Sequence, residues 1–401
     1  MKKTKYLILG AGPAGLCLAA SLRDRGEEDF LIVEKEAEPG GLCRSRDVDG
    51  FGFDIGGGHF LDTRKAEVDR FLFRFLPEEE WESFERDSRI SILGKEIGSP
   101  IEANIWQLDI EDQISYIKAI AEAGCVKGTP KPELFTDWIY WKLGGRIAED
   151  YMLPYNRKMF GDDLDVLGTY WLEKLPEVSF EDTLRSCLTG KAVAKQPGHA
   201  HFLYPKDYGY GEVWKRLGNS LGDRLILSEN IEALDVDNRV VNGKYQGELI
   251  INTVPWPAIK EIEGADGEIV SAIRSLKHTA IVTEYHPDKL ETAAQWVYYP
   301  DPGLAYHRIL VRHNFCRGRG YWTETRAERY EGVAAGPAFM NEYAYPLNTI
   351  DKPAQIEKIL KFMEKKGIYG LGRWGEWQHY NSDVVVERAM GMAQNLAGAI
   401  T

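Results

Sequence analysis

The sequence predicts an α/β protein built around a Rossmann-like dinucleotide-binding domain, with a mainly helical segment and an antiparallel sheet added to it. Three observations carry the prediction. The apolar run Leu7-Ile8-Leu9 breaks at Gly10-Ala11-Gly12-Pro13-Ala14-Gly15, where a helix starts near Pro13. A second apolar run, Leu31-Ile32-Val33, ends on the acid Glu34. Helical periodicity then prevails from Asp109 to Leu188, and residues 276–345 alternate with many β-branched and aromatic side chains.

The first sixty residues are the most informative. Glycines at 10, 12 and 15 let backbone N–H groups and the positive end of a helix approach a pyrophosphate. Glu34, followed by Lys35, stands where a ribose diol would be held. A second glycine turn, Gly40-Gly41-Leu42-Cys43-Arg44-Ser45, and a glycine-rich approach, Gly56-Gly57-Gly58-His59, follow in order. Alone, a GxGxxG run is weak evidence; with strand, helix, acid and second turn in sequence it specifies a dinucleotide.

Composition narrows the class. The chain has 401 residues, 49 Lys and Arg against 62 Asp and Glu, and a net charge of −13. Such a length accommodates two or three domains, and such a charge opposes nucleic-acid binding. The cysteines at 17, 43, 125, 187 and 316 show neither CxxC nor metal-ligand spacing, so no metal is expected. They read as the free thiols of a reducing, cytoplasmic protein. Met1-Lys2-Lys3 before an apolar run imitates a signal peptide, but the glycines and Pro13 interrupt it. No apolar stretch reaches the roughly 20 residues of a membrane helix.

Along the chain, Ile114, Ile117, Ile120 and Ala121 fall on one helical face. Short strands are expected at 225–227, 231–234 and 248–254, and helices at 352–366 and from about Val384.

The turn at Gly40-Gly41 with Arg44-Ser45 and the approach to His59 resemble the flavoprotein superfamily of amine oxidases, protoporphyrinogen oxidases and UDP-galactopyranose mutases. That resemblance implies FAD as the cofactor, contacted by Gly10, Gly12, Pro13, Ala14, Gly15, Glu34, Lys35, Gly41, Leu42, Arg44, Gly57, Gly58 and His59. It also implies a backbone contact to adenine near Ile231 and a contact at Thr253. The implied organisation is a discontinuous FAD-binding domain (1–95, 201–265 and 351–401) around a helical substrate domain of about five helices (96–200) and an antiparallel sheet substrate domain (266–350).

Within that superfamily the later motifs resemble the mutases, the eukaryotic type most closely. Gly372-Arg373-Trp374-Gly375-Glu376-Trp377-Gln378-His379-Tyr380-Asn381-Ser382-Asp383 is similar to their GRxGxWxY segment. By that resemblance Arg373, Asn381, Ser382 and Asp383 lie along the flavin, and His379 with Tyr380 stands at the substrate phosphate. His379 replaces a tyrosine, which introduces a group titrating near neutrality and hence a pH-dependent substrate affinity. Trp296, Tyr298 and Arg308 match a substrate channel in which the arginine clamps a diphosphate with forked hydrogen bonds. Tyr345, Asn156, Phe160 and Lys174 complete the implied substrate set; Lys174 stands where those enzymes carry a second phosphate arginine. Ser99-Pro100-Ile101-Glu102 departs from the segment that grips uracil, so the base and the exact sugar stay open.

The implied activity interconverts the pyranose and furanose forms of a nucleotide sugar. It has no net redox change: N5 of a reduced flavin attacks the anomeric carbon. NADH or NADPH would serve as reductant, and a homo-oligomer is compatible with the family. His59, Arg308, Tyr345, Arg373 and His379 are the expected catalytic set. Two alternatives share the opening motif: an FAD-dependent oxidoreductase of the amine oxidase or protoporphyrinogen oxidase type, and a flavin-binding protein without turnover.

Overall fold

A computed structural model of the chain describes residues 1–62, 64–172, 178–193, 200–332 and 336–398. Its organising element is an eight-stranded sheet. Lys2–Leu9 lies at its centre, parallel to Phe30–Val33 on one side and to Tyr245–Asn252 on the other. Leu7, Ile8 and Leu9 are fully buried, as expected for a central parallel strand covered on both faces. Leu225–Ile226 extends one edge, Ile368–Gly370 pairs with Tyr245–Asn252, and a small antiparallel extension runs through Val240–Val241 and Ala233–Asp235. Three widely separated parts of the chain therefore build one sheet.

The helix Pro13–Arg23 follows the first strand, with Pro at its start and Gly12 as N-cap. A Cβ on Gly15 would stand 2.1 Å from the Gly10 carbonyl oxygen, so only glycine lets helix and strand meet this closely. The C-terminal helix Ser382–Gly398 joins the same core, with Val386, Ala389 and Ala393 buried among Leu16, Ala19 and Ala20.

The second sheet has seven strands, in the order Ala338–Pro346, His278–His286, Tyr321–Arg326, Arg308–Leu310, Trp296–Tyr298, Ser88–Ile92, Lys95–Gly98. It departs from a purely antiparallel sheet drawn from residues beyond 266. The hairpin 88–98 completes it, and Trp296–Tyr298 runs parallel to that hairpin. Local periodicity identifies a strand at 88–92 but not a partner some two hundred residues away.

The helical segment holds five α-helices among the described residues: Ile101–Asn104, Ile110–Ala121, Phe135–Ile147, Leu153–Phe160 and Phe180–Thr189. The face expected for the second of these is rotated. Tyr116 and Ile120 are buried, whereas Ile114 is 39% exposed. The Tyr116 hydroxyl donates to Asp150 at 2.8 Å, so burying the larger ring with a satisfied hydroxyl outweighs burying Ile114. Among the described residues no helix is long and apolar enough to cross a membrane.

Candidate functional site

The carboxyl ends of the central parallel strands meet two glycine turns. Gly10 adopts φ 99°, Gly40 φ 121° and Gly41 φ 55°. The turns touch: a Cβ on Gly41 would lie 3.0 Å from the Gly12 Cα. What faces outward is bare backbone at the start of the eleven-residue helix Pro13–Arg23, a surface suited to pyrophosphate. Glu34 is buried and accepts from the Ala11 N–H at 2.6 Å and the Glu36 N–H at 3.0 Å. Burial raises its pKa and those hydrogen bonds oppose the rise. Each oxygen keeps a lone pair for a ribose diol.

Around this cradle, Arg44 donates from Nε to the Gly41 carbonyl at 2.9 Å and pairs with Glu36 at 2.8 Å. Leu42 is half-buried, and Lys35 is exposed, 3.9 Å from Glu36. Thr253 donates to the Leu9 carbonyl at 2.7 Å, and Ile231 is buried in the same cluster as Leu9 and Val33. A Cβ on Gly372 would stand 2.7 Å from the Ala14 Cβ, which brings the Arg373 segment directly onto the first helix. These residues fit a dinucleotide: the glycines leave space that any side chain would fill, and donors and an acid frame it.

A cavity of about 760 Å³ opens beside the cradle, lined at one end by Gly58, His59, Arg308, Tyr345, Arg373 and His379. Arg308 pairs with the buried Glu324 at 2.5 Å and reaches the Tyr345 hydroxyl at 3.4 Å. Its Nε is buried and has no hydrogen-bond partner among the described residues. Arg373 lies 6.0 Å from the centre of the Tyr345 ring, and Tyr345 lies 5.1 Å from that of His379. Among the described residues the hydrogen bonds of Arg373 go to carbonyls, those of Tyr380 at 2.9 Å and Ala344 at 3.1 Å. Its charge therefore has no carboxylate among these partners, and burial lowers its pKa.

His59 points its Nδ1 at the Gly57 carbonyl, 3.0 Å away, and its ring stacks at 6.3 Å on Tyr210. Burial, reinforced by Arg373 and Arg308, pushes its pKa down to about 3, so the imidazole is neutral at physiological pH. Under this loop sits Asp54, fully buried, accepting from Ser45 at 2.6 Å, Tyr204 at 2.8 Å and the Tyr210 N–H at 2.9 Å. Burial outweighs those bonds and pushes its pKa up to about 7. The folded state then holds this proton more tightly than the unfolded chain, whose aspartate titrates near about 4. Asp54 accordingly stabilises the fold most below pH ~4, and that contribution is lost as pH rises towards about 7. Thermal melts from pH 4 to 8 should show this fall, and Asp54→Asn should flatten it; an unchanged slope in the variant would refute the assignment.

Of the residues expected at the substrate, Asn156, Phe160, Tyr298, Arg308, Tyr345 and His379 line the cavity, as do the cofactor candidates Asn381, Ser382 and Asp383. Trp296 does not: it is 2% exposed, stacked on Phe315 at 5.6 Å, with its indole N–H side towards Gly58. Tyr380 acts through its carbonyl on Arg373, and its ring faces Arg388 at 5.2 Å. Lys174 lies outside the described residues.

Two residues escaped the sequence reading. Glu324 accepts from the Gly58 N–H at 3.1 Å as well as from Arg308, tying the arginine to the glycine loop. It is the direct cross-strand partner of Arg308; the signal is an acid within the otherwise inward-facing strand Tyr321–Arg326, legible only once the register is known. Arg86 lines the cavity, donates to the Tyr298 hydroxyl at 3.0 Å and lies 4.9 Å from the centre of the Trp296 ring. Burial raises the Tyr298 pKa, yet Arg86 and Arg308 together turn the shift downward.

Comparison with known proteins bears on the fold. Residues 8–75 match the family model of the NAD(P)-binding Rossmann-like domain. The crystal structure of reduced UDP-galactopyranose mutase superposes with a TM-score of 0.89 at 22% identity, covering 99% of this chain and 96% of that one. Cyclohexylamine oxidase from Brevibacterium oxydans superposes at 0.65 with 14% identity, covering 99% of each chain. In sequence, a protein of the nifH2 3' region of Methanothermococcus thermolithotrophicus is 44% identical over 52 residues, 13% of this chain and 49% of that protein. The chain thus spans about half the length of that relative. The fold is that of UDP-galactopyranose mutase, and amine oxidases share it more distantly.

Proposed function

We propose that the protein is an FAD-dependent sugar-nucleotide mutase of the UDP-galactopyranose mutase type. The observation that carries this reading is the pair of buried guanidiniums, Arg308 and Arg373, on either side of Tyr345 and beside the Gly56–His59 loop. Beside the Arg308–Glu324 pair, Arg373 brings a buried positive charge whose hydrogen bonds among the described residues go to carbonyls, and such a charge calls for an anionic substrate, because unneutralised charge is costly to keep away from water. A diphosphate meets that demand. Arg308 has an Nε without a hydrogen-bond partner among the described residues, and Arg86, whose Nε and Nη2 are taken by Ser88 and the Tyr298 hydroxyl, adds its Nη1.

Bound FAD, once reduced by dithionite or by NADH or NADPH, supplies a nucleophilic nitrogen for the anomeric carbon. The chain's own residues do the rest. Arg308 and Arg86 hold the diphosphate and take up the negative charge that grows on it as the glycosidic bond breaks. Tyr345 and His379 orient the sugar phosphate, and neutral His59 adds no further positive charge to a site that already carries two arginines. Tyr155, buried in the wall, excludes water from the reacting centre.

An oxidoreductase acting on amines is favoured by one observation, the shared fold of cyclohexylamine oxidase. Arg308 and Arg373 oppose it, since they repel an ammonium substrate. Peroxide release separates the two. Flavin-loaded protein given a panel of amines in air should release none above the substrate-free rate. Steady, amine-dependent peroxide would replace the mutase by an oxidase.

A further inference from the structure

Away from the arginines the cavity runs into the helical layer, where its lining changes from cationic to aromatic. Trp138, Trp141 and Lys142 sit three and four residues apart on the helix Phe135–Ile147 and share one face. Phe135 stacks on Trp138 at 6.4 Å and meets Trp171 at 5.4 Å. The indole N–H groups of Trp141 and Trp171 are already spent on the carbonyls of Thr129 at 2.9 Å and Gly168 at 2.8 Å. These rings therefore offer faces rather than donors, as a planar heterocycle requires.

One carboxylate enters this aromatic end. Glu102, from the short helix Ile101–Asn104, lines the cavity together with Lys142, and the two also line an adjoining space of about 700 Å³. Burial raises the pKa of Glu102, and the nearby Lys142 opposes that rise. A carboxyl group and an ammonium group thus line the same two spaces beside the aromatic wall.

The chemistry of this pair discriminates among bases. Uracil presents two carbonyl acceptors around one N–H, so a carboxylate gains one bond and meets a repelling oxygen. Adenine and cytosine each present one amino donor beside a ring acceptor. Guanine presents two adjacent donors, N1–H and the exocyclic amino group, next to the O6 acceptor. Two carboxylate oxygens and one ammonium match that edge.

We propose that this end of the cavity is a guanine subsite, in which Glu102 accepts from N1–H and the amino group while Lys142 donates to O6. The substrate would then be a guanosine-diphosphate sugar, an inference that rests on the nucleotide-sugar reading above.

Calorimetric titration of the full, flavin-loaded protein with GDP, UDP, ADP and CDP tests it. GDP should bind roughly tenfold or more tighter than the other three, the discrimination typical of a bidentate base contact. Glu102→Ala and Glu102→Gln should remove most of that preference while the flavin spectrum stays unchanged. UDP binding as tightly as GDP, or a preference that survives both substitutions, overturns the guanine assignment and leaves the mutase reading standing. If none of the four binds at millimolar concentration, both readings fall together.

Discussion

Arg308→Ala is expected to abolish nucleotide binding and turnover and to destabilise the protein by about 3–5 kcal/mol, the cost of leaving a buried charge without its partner. The stranded group is Glu324, its side chain 1% exposed, which keeps the Gly58 N–H at 3.1 Å and has the His307 Nε2 at 3.7 Å. The effect has two separable parts. Adding Glu324→Gln to Arg308→Ala should recover much of the stability, because the orphaned charge is gone, but none of the nucleotide binding. Arg308→Lys keeps the charge and loses the fork, so stability should hold better than affinity. Urea melts and nucleotide titrations of the four proteins check both parts. Full stability in Arg308→Ala would show that the pair is not buried as described.

Gly56→Ala is expected to weaken the protein's hold on flavin. A Cβ at this position would lie 1.9 Å from the Leu42 carbonyl oxygen and 2.8 Å from its carbon, both backbone atoms that no side-chain rotation can move. Gly56 is the point where the loop to His59 crosses the second glycine turn, so the strain displaces one of the two surfaces assigned to the cofactor. Overpacking of this kind costs about 1–3 kcal/mol, enough to weaken cofactor retention roughly 5- to 150-fold. Flavin content after gel filtration, with a thermal melt beside it, measures this. An alanine variant that keeps wild-type flavin would remove Gly56 from the cradle.

The parts of the fold legible in the sequence were those written locally. Leu7-Ile8-Leu9 followed by three glycines, and Leu31-Ile32-Val33 followed by Glu34, carry strand, turn and helix in adjacent residues. Pairings between distant segments were not local and stayed hidden. The hairpin 88–98 belongs to the second sheet because Ser88 pairs with Trp296, a choice no nearby residue records. The same holds at the site. Arg308 is visible as an arginine in a strand, but Glu324 becomes its partner only through the register of two strands. Trp296 lay at the spacing of a substrate residue, yet its ring is absorbed by stacking on Phe315 and an edge-on contact with Phe202. Ile114 shows the limit of counting apolar residues on a helix: a tyrosine with an acid partner took the buried position.

In the proposed reaction the cofactor acts without net redox change. The direct measurement incubates the flavin-loaded protein, oxidised or reduced with dithionite under anaerobic conditions, with GDP- and UDP-linked hexoses in their furanose forms. Chromatography then follows the appearance of the pyranose. Conversion is expected of the reduced protein only, with the flavin still reduced when equilibrium is reached. Conversion by the oxidised protein, or reoxidation of the flavin in step with substrate loss, would contradict the proposed reaction.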